Sequence, residues 1–220
     1  MLTFAAALIV VQHKPDPIAT NFSGPEIVKK MKAAVRAGSP VTGTMVIKGP
    51  AGQDLSVAFA IMYPGLMINK VSFFGLATET YISPSASYTF NPKKNEYTRI
   101  SDSRIPGMDN KGMYGMDSLF SDKENFKVAD KVTMKSMNGR MAFAVAITQT
   151  PSVSEIVARG DTLYVDAKTF LPLGFDEDDP DAGGIDHTIY QNVKWKAHLT
   201  KKDFQWKPPK GAKLVKAITP

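Results

Sequence analysis

The sequence predicts an α+β domain: one N-terminal helix followed by a largely antiparallel sheet. Three observations carry this. Apolar residues recur at helical spacing between Ser23 and Gly38, and from Val41 onward the apolar period becomes two. The 16 glycines and 15 prolines fall between short apolar runs, the punctuation of a turn-rich β protein. A chain of 220 residues is long enough for one well-buried domain and short for two.

The helix begins at a capping box. Ser23 and Glu26 stand three apart, so each side chain can satisfy a backbone N–H that the helix leaves orphaned, and Pro25 fits the first turn. Ile27, Val28, Met31, Ala34 and Val35 form the inward stripe, and Gly38 with Pro40 ends it. Strands follow at 41–47 and 55–63. Val41, Gly43, Met45 and Ile47 share one face of the first, and Leu55, Val57, Phe59, Ile61 and Tyr63 one face of the second. Further strands are expected at 66–74, 88–91 and 96–100, the last two joined by a turn over 92–95. Residues 105–122 break the alternation and read as a loop leading to a short helix. Strands resume at 126–132, 141–148, 162–166, 170–175 and 185–199. In the last, Ile185, Ile189, Val193, Trp195, Ala197 and Leu199 face one way, and Asp186, Thr188, Asn192, Lys194, Lys196 and His198 the other. One buried face and one wet face is how an antiparallel sheet reads.

Composition removes several functions. With no cysteine there is no disulfide, thiolate metal site, Cys nucleophile or lipobox anchor. The net charge of +6 favours anionic headgroups or nucleic acid, or is carried by lysines on solvated strand faces, densest at Lys194, Lys196, Lys201, Lys202 and Lys207. Residues 2–11 (LTFAAALIVV) are too short to span a bilayer and have the length of a signal-peptide h-region, although a basic n-region and an A-x-A site are missing; an N-terminal strand or a wrongly assigned start is the alternative. The expected organisation is a signal peptide and leader over 1–19 and a single domain over 20–220.

Three segments carry a family resemblance: AIMYPGLMINK at 60–70, TYISPSASYTFNPK at 80–93, and LYVD at 163–166 with FLPLG at 170–174, a long strand and DFQWKPPKGAKLV at 203–215. In order and spacing the chain resembles the LolA-like periplasmic outer-membrane lipoprotein carriers and lipoprotein-sorting proteins. The resemblance implies an unclosed, strongly curved antiparallel half-barrel with helices covering its concave face. It implies a periplasmic, non-enzymatic monomer that takes acyl chains of a lipoprotein or lipid into an apolar cavity, with inner- and outer-membrane sorting proteins as further partners. The alternative use of the fold is a protein-interaction module or envelope-stress sensor without lipid transfer. The family usually has Arg before the proline of the first segment. Tyr63 stands there, with one hydroxyl where Arg has five N–H donors, so it cannot reproduce the same contact with a helical lid.

The inward-alternating residues are the candidate cavity lining: Met45, Ile47, Val57, Phe59, Ile61, Tyr63, Phe143, Val145, Ile189, Val193 and Trp195. Met108, Met113 and Met116 are the candidate lid. The 11 methionines suit an adaptable lipid pocket or simple core filling. No catalytic set emerges, since there is no G-x-S-x-G elbow, and His187 and His198 fall on opposite faces of one strand. The acidic run at 176–181 could offer oxygens to Ca²⁺, but it lacks EF-hand spacing and reads as a solvated turn. Neither metal nor cofactor is expected. Nucleic acid is not expected either, although Tyr190, Trp195 and Trp206 near the C-terminal lysines could stack on bases.

Overall fold

The structure, a computed structural model, describes residues 21–50, 52, 54–63, 65–73, 76–83, 85–100, 126–149, 160–179 and 183–216. The leader and the segment carrying Met108, Met113 and Met116 lie outside these residues. One α-helix, α1 (Gly24–Gly38), precedes β1 (Val41–Lys48), β2 (Asp54–Met62), β3 (Leu66–Phe73), β4 (Leu76–Ser83), β5 (Ala86–Asn91) and β6 (Glu96–Ile100). Then come β7 (Phe126–Met137), β8 (Arg140–Gln149), β9 (Gly160–Asp166), β10 (Pro172–Asp179) and β11 (Gly184–Trp195), a 3-10 turn (Lys201–Phe204) and β12 (Lys213–Leu214). The twelve strands among the described residues form one unclosed sheet in the order β12-β6-β5-β4-β3-β2-β1-β11-β10-β9-β8-β7. Every pairing is antiparallel except β12 on β6. This is consistent with the expected half-barrel. Among the described residues a single α-helix covers the sheet, where several helices were expected.

That helix is built as its sequence dictates. Ser23 N–H donates to Glu26 Oε2 at 2.8 Å, and Glu26 N–H donates back to Ser23 Oγ at 3.4 Å, closing the capping box. Ile27, Val28, Met31 and Val35 are buried against the sheet. Phe22, just before the cap, sets its ring edge-on to Phe143 and Phe170 and fixes the entry of the chain into the helix. Fifteen residues make a helix about 22 Å long. Its first residue, Gly24, lies against the Ala129 carbonyl of β7, and its last, Gly38, against the Trp195 indole at the end of β11. Those strands are four spacings apart, roughly 19 Å, so α1 runs across the strands rather than along them.

Several strands differ from their sequence-based bounds. The strand expected at 126–132 continues to Met137, where Asn138 (φ 49°) and Gly139 (φ 76°) make the two-residue hairpin turn that both left-handed residues permit. β4 was not anticipated, because Thr78 and Thr80 occupy the side that a hydrophobic reading expects to be apolar. The strand expected at 170–175 begins at Pro172, since Phe170 is left-handed (φ 56°) in the preceding turn. It then runs to Asp179, so acidic residues read as a solvated turn lie on a strand instead.

The largest correction concerns β11. The strand ends at Trp195, so Ala197, His198 and Leu199 lie beyond it. It also carries a bulge: Thr42 pairs with Lys194 and Thr44 with Gln191, so one extra residue sits on β11, where Asn192 is left-handed (φ 52°). A bulge inverts the alternation. Beyond it Val193 and Trp195 face the helix side as expected, but before it Thr188 and Tyr190 do. Ile189 therefore lies on the opposite face, and Ile185 is 47% exposed.

A candidate apolar site beneath the helix

The face under α1 gathers most of the expected lining. Met45 of β1, Val57, Phe59 and Ile61 of β2, and Phe143 and Val145 of β8 are buried in one cluster with Ile27, Met31 and Val35 of the helix. Ile47, Tyr63, Val193 and Trp195 are half-buried against the same cluster. Ten of the eleven expected residues thus meet on one side, and Ile189 does not. Met67 of β3, Leu163 and Val165 of β9, Phe175 of β10 and Tyr190 of β11 complete it. Alternation alone missed Tyr190, because the bulge moved it inward. Its ring meets Phe59 edge-on at 6.2 Å and Phe175 at 6.4 Å. The face is apolar and aromatic, and the stripe of α1 packs directly on it.

Tyr63 joins this cover to the sheet at the helix C-terminus. Its N–H donates to Ser39 Oγ at 2.8 Å, and the Arg36 guanidinium lies 5.3 Å from its ring centroid. Tyr63 thus touches the C-terminal end of the helix through both its backbone and its ring.

The opposite face is not uniformly polar. Register places Tyr81, Tyr88, Phe90 and Tyr97 side by side there on β4, β5 and β6. The C-terminal segment covers them with Trp206, whose ring lies 4.9 Å from Tyr88, 5.1 Å from Tyr97, 5.9 Å from Phe90 and 6.0 Å from Tyr81. A cavity of about 330 Å³ opens beside it, lined by Leu66, Tyr81, Ser83, Tyr88, Lys201 and Trp206 among others. The aromatic ring needed for base stacking at Trp206 is therefore turned onto the sheet, and Trp195 is under the helix. Nothing short of the register would have brought the four tyrosine and phenylalanine positions together.

Farther along the same opposite face, Tyr164 Oη donates to Asp176 Oδ2 at 2.6 Å and Lys135 Nζ donates to Tyr164 Oη at 3.0 Å. His187 Nδ1 lies 2.8 Å from Asp176 Oδ1. Burial, then the Asp176 bond, pushes the Tyr164 hydroxyl up, while the bond to Tyr164 raises the Lys135 ammonium. Asp176 is thereby engaged with side chains. Among the described residues no group of His, Asp or Glu stands in a position to hold a metal. The LYVD–FLPLG segment likewise proves structural: Asp166 Oδ1 accepts from Lys168 N–H, Thr169 N–H and Thr169 Oγ1 at 2.7–3.0 Å, and Oδ2 meets Arg140 at 2.8 Å. This closes the turn that tucks Phe170 against Phe143.

A search of family models and one of curated proteins return no match for the sequence. Solved structures similar to the chain include an uncharacterised conserved protein from Thermus thermophilus, at 13% identity and a TM-score of 0.60, covering 87% of this chain and 97% of that one. A domain described as a putative outer membrane lipoprotein-sorting protein from Vibrio parahaemolyticus is 14% identical with a TM-score of 0.48, covering 82% and 95%. A LolA superfamily protein from Nitrosomonas europaea is 11% identical with a TM-score of 0.45, covering 84% and 98%. Likeness at these identities concerns the fold.

Proposed function

We propose that the chain is a periplasmic, non-enzymatic binder of acyl chains, from a lipoprotein or a lipid, which it holds between α1 and the apolar face of the sheet. The observation that supports this best is the convergence of ten expected lining residues on one face beneath a single helix. An acyl chain gains about 0.8 kcal/mol per methylene buried, so a chain of roughly 14 methylenes gains of the order of 11 kcal/mol before costs. That gain is the driving force for α1 to yield space, because its stripe occupies the face in this structure.

The test is native mass spectrometry of the folded protein titrated with a triacylated lipopeptide and with its deacylated control. Binding of the acylated form alone supports the reading; equal binding of both, or of neither, overturns it. Phe59→Asp abolishes binding under this account and Lys29→Glu, on the exposed side of α1, does not; Phe59→Leu keeps the fold and weakens binding.

A second reading, a protein-interaction module, is favoured by one feature. Among the described residues β7 is a 12-residue strand at the sheet's edge, able to pair with an added strand. A partner retained by the acyl-free protein and lost on Val132→Pro would support it.

A further inference from the structure

The charge of the chain is not spread over it. Between Lys196 and Lys216 stand seven lysines and one carboxylate, Asp203, so this segment alone carries a net charge equal to the +6 of the whole chain. Asp203 does not neutralise them: its Oδ2 accepts from Thr200 N–H at 2.6 Å and Thr200 Oγ1 at 2.8 Å. All seven lysines are exposed, and none is paired with a carboxylate among the described residues.

The fold concentrates this charge further and fastens it to the sheet. Trp206 pins the segment to four aromatic rings of the sheet. Lys213 N–H donates to the Asn95 carbonyl at 3.0 Å, and Val215 N–H to the Tyr97 carbonyl at 2.8 Å. Asn95 Nδ2 reaches the Lys210 carbonyl at 3.4 Å. These bonds bring the turn bearing Lys93 and Lys94 beside Lys210 and Lys213, with Glu96 the nearby acid on the paired strand. Within the same belt, Leu214 is 62% exposed, the most open of the large apolar side chains among the described residues.

We propose that this belt, Lys196–Lys216 with Lys93 and Lys94, is a docking surface for the anionic headgroups of a membrane. Lysines draw the protein to a negative leaflet, and Leu214, flanked by Lys213 and Lys216, enters the headgroup region. An exposed leucine gains nothing against nucleic acid, and the segment's indole is already packed on four rings of the sheet. The belt starts at Lys196, whose N–H donates to the Gly38 carbonyl at the end of α1, and runs from there to the β6 edge. Its lysines are exposed and line no part of the face under α1, so the proposal does not rest on acyl binding there.

The experiment is co-sedimentation of the full chain with vesicles of phosphatidylcholine alone and of phosphatidylcholine with phosphatidylglycerol, at low and high salt. Binding is expected to the anionic vesicles only and to fall with salt. Lys210→Gln, Lys213→Gln and Lys216→Gln together should weaken it by roughly a hundredfold, at about fivefold per lysine, whereas Lys48→Gln, Lys127→Gln and Lys131→Gln together should leave it unchanged. Leu214→Ser should weaken vesicle binding and leave binding to polyglutamate and duplex DNA unaltered. Equal binding to both vesicle types, no binding to anionic vesicles at low salt, or indifference to the belt substitutions would overturn the proposal. So would tighter binding to polyglutamate or DNA than to anionic vesicles.

Discussion

The seat of α1 can be tested at Gly24. In an exposed helix, replacing Gly by Ala stabilises by about 0.5–1 kcal/mol, because Ala has less backbone entropy to lose. Here the new Cβ would sit inside the contact radius of the Ala129 carbonyl oxygen and 3.0 Å from Val128 Cγ1. The first of these is backbone, held in the bulged region of β7 between Val128 and Val132, and cannot turn aside as a long side chain would. The helix must therefore shift away from β7, and forcing an extra methyl into a packed contact costs about 1–3 kcal/mol. The two effects leave a net loss of roughly 0.5–2 kcal/mol, a fall in Tm of about 1–8 °C for a domain of this size. A thermal melt followed by circular dichroism measures it, with Lys29→Ala on the exposed side of the helix as reference. A Tm for Gly24→Ala at or above that of the parent would refute the close seat of helix on strand.

Three other perturbations test the packing. Burial tends to raise the Asp166 carboxyl, but bonds from Thr169, the Arg140 guanidinium and the Lys168 N–H outweigh it and hold the group below the usual carboxylate range. Its contribution is thus complete above the unfolded value near ~3.9 and is lost as pH falls through the lower folded value; in acid-titrated urea melts, Asp166→Asn should cost about 1–3 kcal/mol at neutral pH and flatten the acid limb. Trp206→Ala should cost about 2–3 kcal/mol, less than for a fully buried indole, and should raise amide exchange in both β12 and β6, where unchanged exchange would contradict its role as the pin of the C-terminal segment. Asn192→Val should lower stability by about 1–2 kcal/mol in the same urea melts, since a β-branched residue resists the left-handed bulge, while Asn192→Gly should be neutral within a few tenths.

Local chemistry was legible in the sequence, and long-range register was not. The capping box, the stripe from Ile27 to Val35 and the paired faces of β1 and β2 are written in residues three or two apart, and the structure realises them. The Asn138-Gly139 turn was equally local, and its signal was present in the sequence although the strand was expected to stop short of it. β11 misled for a physical reason. Alternation assumes one residue per pleat, and the extra residue at Asn192 moved Tyr190 inward and Ile189 outward. Thr188 completed the disguise: it is a polar residue buried opposite Ile47 and Phe175, where hydrophobicity would place it outside. The Trp206 cluster needs three strands in register before its rings meet, so no window of sequence contains it. Alternation made the site under α1 legible as a face but did not say which side the helix covers; a helical cover was expected from the family resemblance alone.

The measurement that tests the central claim most directly is photolabelling with a lipopeptide whose acyl chain carries a diazirine, followed by mass-spectrometric mapping of the labelled residues. The account predicts labels on Met45, Phe59, Ile61, Phe143 and Trp195 and on the inward stripe of α1, competed away by unlabelled acylated peptide. Labels on Ile189 and its neighbours on the opposite face, or labelling that the deacylated peptide competes equally well, would contradict acyl binding beneath the helix.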